Sequence, residues 1–286
     1  MNLHEFSSYY LPLMVTAGDY ALQIQSRIEN RNKAGENAFS QALTDADLSV
    51  QNFIEIATLA RFPEIAFYGE EEEQSLNAKY FVGDADYKLF LDPINGTRFY
   101  QDQLPLFDII ISLNYRGEYA AGISYVPGTE TFYLGFKDDG AYTVSKQEVM
   151  QGVAYRPLQV PVGGGTLVTL NCPQLKQALG NDFNVLDAVQ DYDPACCEIA
   201  TFSVFTGAIG GFLGYNCSYL DSGVIAFIAS LAGAIVTDFA GNPVTAFSQV
   251  SLGRIPQLVV TRDPELHSQV LERIADCAEL RNPPMR

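Results

Sequence analysis

Three short acidic segments hold the side chains of this sequence that could do chemistry: Tyr68-Gly69-Glu70-Glu71, Leu91-Asp92-Pro93-Ile94-Asn95-Gly96-Thr97 and Tyr219-Leu220-Asp221-Ser222-Gly223. Each follows an apolar, strand-like run. Carboxylates at strand ends can converge at one edge of a sheet, where ligand sites of α/β proteins form. The only histidines, His4 and His267, stand near the chain ends, so the donors are oxygens. Oxygen donors favour a hard cation such as Mg2+ over Zn2+. Each segment also has a plainer reading. Gly-Glu-Glu is a common solvated turn, Asp-Pro initiates turns, and Asp221 before an apolar helix is an N-cap. Glu72 and Glu73 keep the plain reading of a solvated face.

These segments need elements to position them. Apolar spacing predicts helices over residues 6–28 and 46–60, the second capped by Thr44 or Asp45. Strands are predicted at 65–68, 88–91, 109–113 and 120–125, with Pro127-Gly128 and Asp139-Gly140 as turns. Residues 152–165, with the glycine run Gly163-Gly164-Gly165, read as an irregular junction. A strand at 167–170 and alternating helical stretches follow, ending in a helix at 264–278. The class is mixed α and β, with an N-terminal α+β half to residue 150 and a C-terminal α/β half over 151–286.

The chain of 286 residues carries 34 acidic and 17 basic residues, a net charge of −17, with 48% hydrophobic and 18% charged residues. It is long enough to bury a substantial core and too apolar to be disordered. A nucleic-acid partner needs a cationic face, and none is visible. The negative field repels an anionic substrate, so a phosphate site here needs bound cations to reverse the local sign. The five cysteines, Cys172, Cys196, Cys197, Cys217 and Cys277, lack a CxxC pair and read as buried thiols. No basic-then-apolar leader opens the sequence, and the apolar stretch at 223–236 is too short to span a bilayer, so no membrane partner is expected and the cytoplasm is the default location.

The order of the motifs resembles the inositol monophosphatase superfamily over nearly the whole length. That family carries Gly-Glu-Glu, then Asp-Pro-Ile-Asp-Gly-Thr, then Trp-Asp before an apolar Ala/Gly-rich helix. Gly69-Glu70-Glu71 matches the first motif, and Asp92-Pro93-Ile94-Asn95-Gly96-Thr97 matches the second at five of six positions. Leu220-Asp221-Ser222-Gly223 is similar to the third with Leu for Trp. Thr44-Asp45-Ala46-Asp47 resembles the family's upstream Thr/Asp segment, and Tyr125-Val126-Pro127 with Gly140-Ala141-Tyr142 resembles its following strand pair. The resemblance implies a layered α-β-α-β-α sandwich and a phosphoric monoester hydrolase acting on a small phosphorylated metabolite. It implies two or three Mg2+ ions held by Glu70, Asp92, the Ile94 carbonyl, residue 95 and Asp221. It also implies an attacking water positioned by Glu70, Thr97 and Asp47, and a phosphate resting on the backbone at Gly96 and Thr97, at the start of a helix near Arg98. Family members commonly dimerise, so a homodimer is part of that expectation.

Two departures stand out. Asn95 occupies the place of a metal-ligand aspartate and removes one negative charge, which weakens a second metal site. Three consequences are open: an enzyme with a weaker site, a metal- or phosphate-binding protein with little turnover, or an Asn-Gly amide that hydrolyses to restore the acid. Restoring aspartate at 95 is expected to raise activity. The second departure is that Gly210 and Gly214 fall where inositol-selective members carry acids. Sugar, histidinol-type and nucleotide phosphates are therefore as admissible as inositol phosphate.

Overall fold

The computed structural model describes residues 1–28, 30–32, 42–163, 165–195, 200–244, 253–277 and 280. Cys196, Cys197 and Gly164 lie outside these residues, as does Ala278 at the end of the helix predicted over 264–278. The chain forms two compact units, Met1–Pro157 and Leu158–Arg286.

The first unit begins with α1 (Leu3–Ile24), a short antiparallel pair β1 (Asn30–Asn32) and β2 (Ala42–Thr44), and α2 (Asp45–Arg61). Then come β3 (Ala66–Gly69), β4 (Tyr87–Asn95), α3 (Thr97–Gln101), β5 (Asp108–Tyr115), β6 (Glu118–Val126), β7 (Thr131–Phe136), β8 (Gly140–Ser145), α4 (Lys146–Gln151) and β9 (Arg156–Pro157). Strands β3 to β9 form one sheet in sequence order, parallel only between β3 and β4. Phe6, Tyr10 and Met14 of α1 and Val50 and Ile54 of α2 join Leu89, Leu91, Ile109, Ile111, Ile123, Phe132 and Leu134 in one buried cluster against the sheet. The helix predicted at 46–60 is α2, and its start carries a reciprocal cap: Ala46 N–H donates to Thr44 Oγ1 at 3.2 Å, while Thr44 N–H donates to Asp47 Oδ2 at 2.8 Å.

Helix α1 spans Leu3–Ile24 where 6–28 was expected, its last turn giving way to a 3-10 turn at Gln25–Arg27, and two further differences have physical reasons. Strand β4 does not stop at Leu91 but continues through Asp92-Pro93-Ile94-Asn95. Pro93 is tolerated because the β4–β5 register shifts between Asp92 and Asn95, so no ladder hydrogen bond is required of it. Strand β9 lies inside the stretch predicted to be irregular, too short for periodicity to reveal.

The second unit contains β10 (Thr166–Leu170), α5 (Pro173–Leu179), β11 (Val185–Asp187), β12 (Ile209–Ser218), α6 (Ser222–Leu231), β13 (Ile235–Thr237), β14 (Arg254–Thr261) and α7 (Pro264–Asp276). Its sheet runs β11-β10-β12-β14-β13, parallel from β11 to β12 and antiparallel beyond. Leu175 and Leu179 of α5 and Leu266, Val270 and Ile274 of α7 pack on Leu167, Leu213 and Val259. The alternate residues Val168, Phe212 and Val260 point to the other face. Among the described residues, no helix is long and apolar enough to cross a membrane.

Candidate functional site

The first two acidic segments meet because β3 and β4 are parallel neighbours. Gly69 pairs with Leu91, and Glu70 N–H continues the ladder to the Leu91 carbonyl at 3.0 Å. Glu70 and Asp92 therefore sit side by side at the same end of the sheet, Glu70 exposed and Asp92 buried. Gln51, on α2, braces this end. Its Oε1 accepts Glu71 N–H at 2.9 Å while its Nε2 donates to Glu55 Oε1 at 3.0 Å. A Cβ on Gly69 would lie 2.3 Å from Gln51 Oε1, so the glycine is what admits the brace. Glu72 and Glu73 are exposed, as their plain reading required.

Asp47 and Thr97 also come together. Thr97 Oγ1 is 3.2 Å from Asp47 Oδ1 and 2.9 Å from the Ile94 carbonyl oxygen, so its hydroxyl is committed as a donor and its lone pairs remain as acceptors. Burial pushes the Asp47 carboxyl up from 3.8 to about 7; Thr44's hydrogen bonds oppose this, and the charges of Glu70 and Glu71 add to it. Gly96 precedes α3 with φ +88, and a Cβ there would also lie 2.8 Å from Phe99. The helix it opens, Thr97–Gln101, has five residues, so close approach of backbone N–H groups can contribute at its start and a macrodipole contributes little.

Asn95 has a partner that sequence reading missed. Past the bulge, β4 and β5 pair Asn95 with Asp108. Asn95 Nδ2 donates to Asp108 Oδ1 at 2.8 Å, and Ser124 Oγ on β6 donates to Asp108 Oδ2 at 2.6 Å. Asp108 is fully buried. Only the antiparallel register connects it to the motif, and a lone aspartate at the head of an apolar strand reads as turn chemistry.

Asp221 belongs to the second unit, where it is the N-cap of α6 and accepts from both the backbone N–H and the hydroxyl of Ser222. In β12, a Cβ on Gly214 would lie 2.5 Å from the Leu170 carbonyl, and one on Gly210 would lie 3.0 Å from the Gly165 backbone. These glycines are fixed by strand packing as well as by the absence of an acid. Among the described residues, no three His, Cys, Asp or Glu side chains are grouped so as to hold a metal ion by themselves. The first unit instead offers a mixed set of oxygens: the carboxylates of Glu70 and Asp92, the Ile94 carbonyl and the Asn95 amide. Such a set suits a hard divalent cation and offers nothing to a soft one.

Residues 12–277 match the model of the inositol monophosphatase family. The probable inositol 1-monophosphatase ImpA of Mycobacterium tuberculosis is 25% identical over 250 residues, covering 82% of this chain and 83% of that one. The fold matches the inositol monophosphatase TM1415 of Thermotoga maritima with a TM-score of 0.72 at 18% identity, over 96% of this chain and 98% of that one. It also matches an inositol monophosphatase/NADP phosphatase solved with Mg2+ and phosphate, with a TM-score of 0.71 at 16% identity, over 97% and 98% of the two chains. With the Gly-Glu-Glu and Asp-Pro-Ile-Asn-Gly-Thr segments at adjoining strand ends and a family match spanning almost every residue, the chain belongs to the inositol monophosphatase family.

Proposed function

We propose that this protein hydrolyses a small phosphate monoester with the help of Mg2+. Membership of the family supports phosphatase activity on phosphate esters. The observation that carries the finer reading is the Asp47–Thr97–Ile94 hydrogen-bonded unit standing beside the paired strand ends of Glu70 and Asp92. Glu70, Asp92, the Ile94 carbonyl and Asn95 are the proposed metal donors of the first unit. Mg2+ when bound supplies positive charge to the phosphate and acidifies a water molecule.

The chain's own residues do the rest. Thr97 Oγ1, its hydrogen committed to Asp47 or to the Ile94 carbonyl, offers lone pairs that orient a water. Asp47, ionising near neutrality without metal, is matched to take up a proton passed through that hydroxyl. Glu70 is the exposed carboxylate at the strand end and takes the water's other side. Gly96 lets the backbone N–H groups at 96 and 97 approach a phosphate closely. Gly210 and Gly214 present no acids, and packing denies them any, so a polyol gains no carboxylate partner there. A sugar, histidinol-type or nucleotide phosphate is therefore as admissible a substrate as inositol phosphate.

Phosphate release from a panel of such monoesters, with Mg2+ titrated through the millimolar range, tests the proposal. Turnover with at least one ester is expected, and Thr97→Ala or Asp92→Ala should lower it about a hundredfold or more. Silence of the parent protein at every Mg2+ level would favour the second reading, which Asn95 supports: a family member that binds metal and phosphate with little turnover.

A further inference from the structure

Asn95 and Asp108 exchange roles in a way the motif alone does not disclose. A carboxylate accepts and does not donate, so only the amide NH2 of Asn95 can face Asp108, and the 2.8 Å contact is made by Nδ2. In a planar amide the oxygen lies on the other side of Cγ from the nitrogen, so Asn95 Oδ1 is turned away from Asp108 and held there. The carboxylate is itself fixed from behind by Ser124 Oγ at 2.6 Å. Asp108 is fully buried, and burying a carboxylate costs more than burying an apolar side chain. A pair of apolar residues at 108 and 124 would pack this strand at lower cost, so the acid calls for a reason beyond folding.

We infer that Asp108 is a positioning residue for metal binding: it locks Asn95 Oδ1 as an outward donor. It also supplies, one hydrogen bond behind the amide, the negative charge that position 95 lacks. This rests on the phosphatase reading above. An anion behind the NH2 polarises the amide and strengthens its oxygen as a donor, much as carboxylates behind metal-binding imidazoles strengthen them. It also alters the expectation for restoring the acid at 95. Asn95→Asp in the presence of Asp108 places two carboxylates within hydrogen-bond distance, and one resists ionisation. The single reversion should therefore give no gain in Mg2+ affinity, whereas exchanging the two residues should.

Calorimetric titration of Mg2+ into the full-length, metal-stripped protein tests this, alongside melting temperatures measured without metal. Asp108→Asn should weaken Mg2+ affinity about ten- to hundredfold. Asn95→Asp/Asp108→Asn, which keeps the hydrogen bond with its donor reversed, should restore wild-type affinity or exceed it. Asn95→Asp alone should lower the metal-free melting temperature. A merely structural Asp108 would move the melting temperature while Mg2+ affinity stayed unchanged, and that result overturns the inference. If Asp108→Asn fails to fold, the exchanged pair still decides: affinity below wild type in that variant overturns the inference as well. Absence of Mg2+ uptake by the wild-type protein, or uptake untouched by Asp92→Ala, removes the phosphatase reading itself and this inference with it. Uptake that needs Asp92 but ignores Asp108 removes only the latter.

Discussion

Asp47 carries unusual acid–base behaviour for a carboxylate. Its folded-state value near 7 lies above the ordinary 3.8, so the folded protein holds a proton that the unfolded chain has released. Stability is therefore fully present below the ordinary value and is lost as pH rises toward the folded one, by roughly 4 kcal/mol for the net shift. In EDTA, wild-type protein should lose stability relative to Asp47→Asn as pH rises from about 4 to about 7. Urea denaturation across that range checks it, and parallel curves would contradict it. Bound cations favour the ionised carboxylate, so Mg2+ should shrink the difference. Asp47 was legible in the sequence only through family resemblance, because an acid in the first turn of a helix otherwise reads as a cap. It is in fact both, accepting from Thr44 at the helix start and from Thr97 in the site. Asp108 was not legible at all. Its partner lies across a bulged register that only the folded sheet defines.

At the scale of elements, the site depends on how β3, β4 and α2 are locked together. The joint is Gln51, whose carboxamide occupies the space that a side chain at 69 would need. Gly69→Ala should push Gln51 off Glu71 N–H, leaving a buried donor unsatisfied at a cost of about 1–3 kcal/mol. Chemical denaturation should show that loss, and phosphate release should fall with it because Glu70 is the adjacent residue. A full-strength ladder in the Ala variant would show that the brace is dispensable. Helix α2 was readable from its apolar spacing, and strands β5 and β6 from their apolar runs. The continuation of β4 through Pro93 was not, since proline ordinarily ends a strand and only a bulge excuses it. In sequence, Gly210 and Gly214 read only as positions lacking acids, yet Gly214 is packed against the Leu170 carbonyl.

For the molecule as a whole, the net charge of −17 sets the field an anionic substrate must cross. At saturating Mg2+, raising the total ionic strength with NaCl to about 0.15 M shortens the screening length to about 8 Å, so KM for a phosphate monoester should fall while kcat holds. A KM that climbs with salt would mean the local cationic site outweighs the surrounding acids. The mixed α/β class was readable from composition and alternation. The pairing order of the second sheet was not, because β10 to β14 do not pair in sequence order. The lengths of those strands have a further consequence. The interior strands β4 and β12 have nine and ten residues, whereas the sheet borders β3, β9, β11 and β13 have four, two, three and three. Among the described residues, these four border strands thus offer a foreign strand only short ladders. Among the described residues, these borders are therefore poor templates for the growth of a fibril.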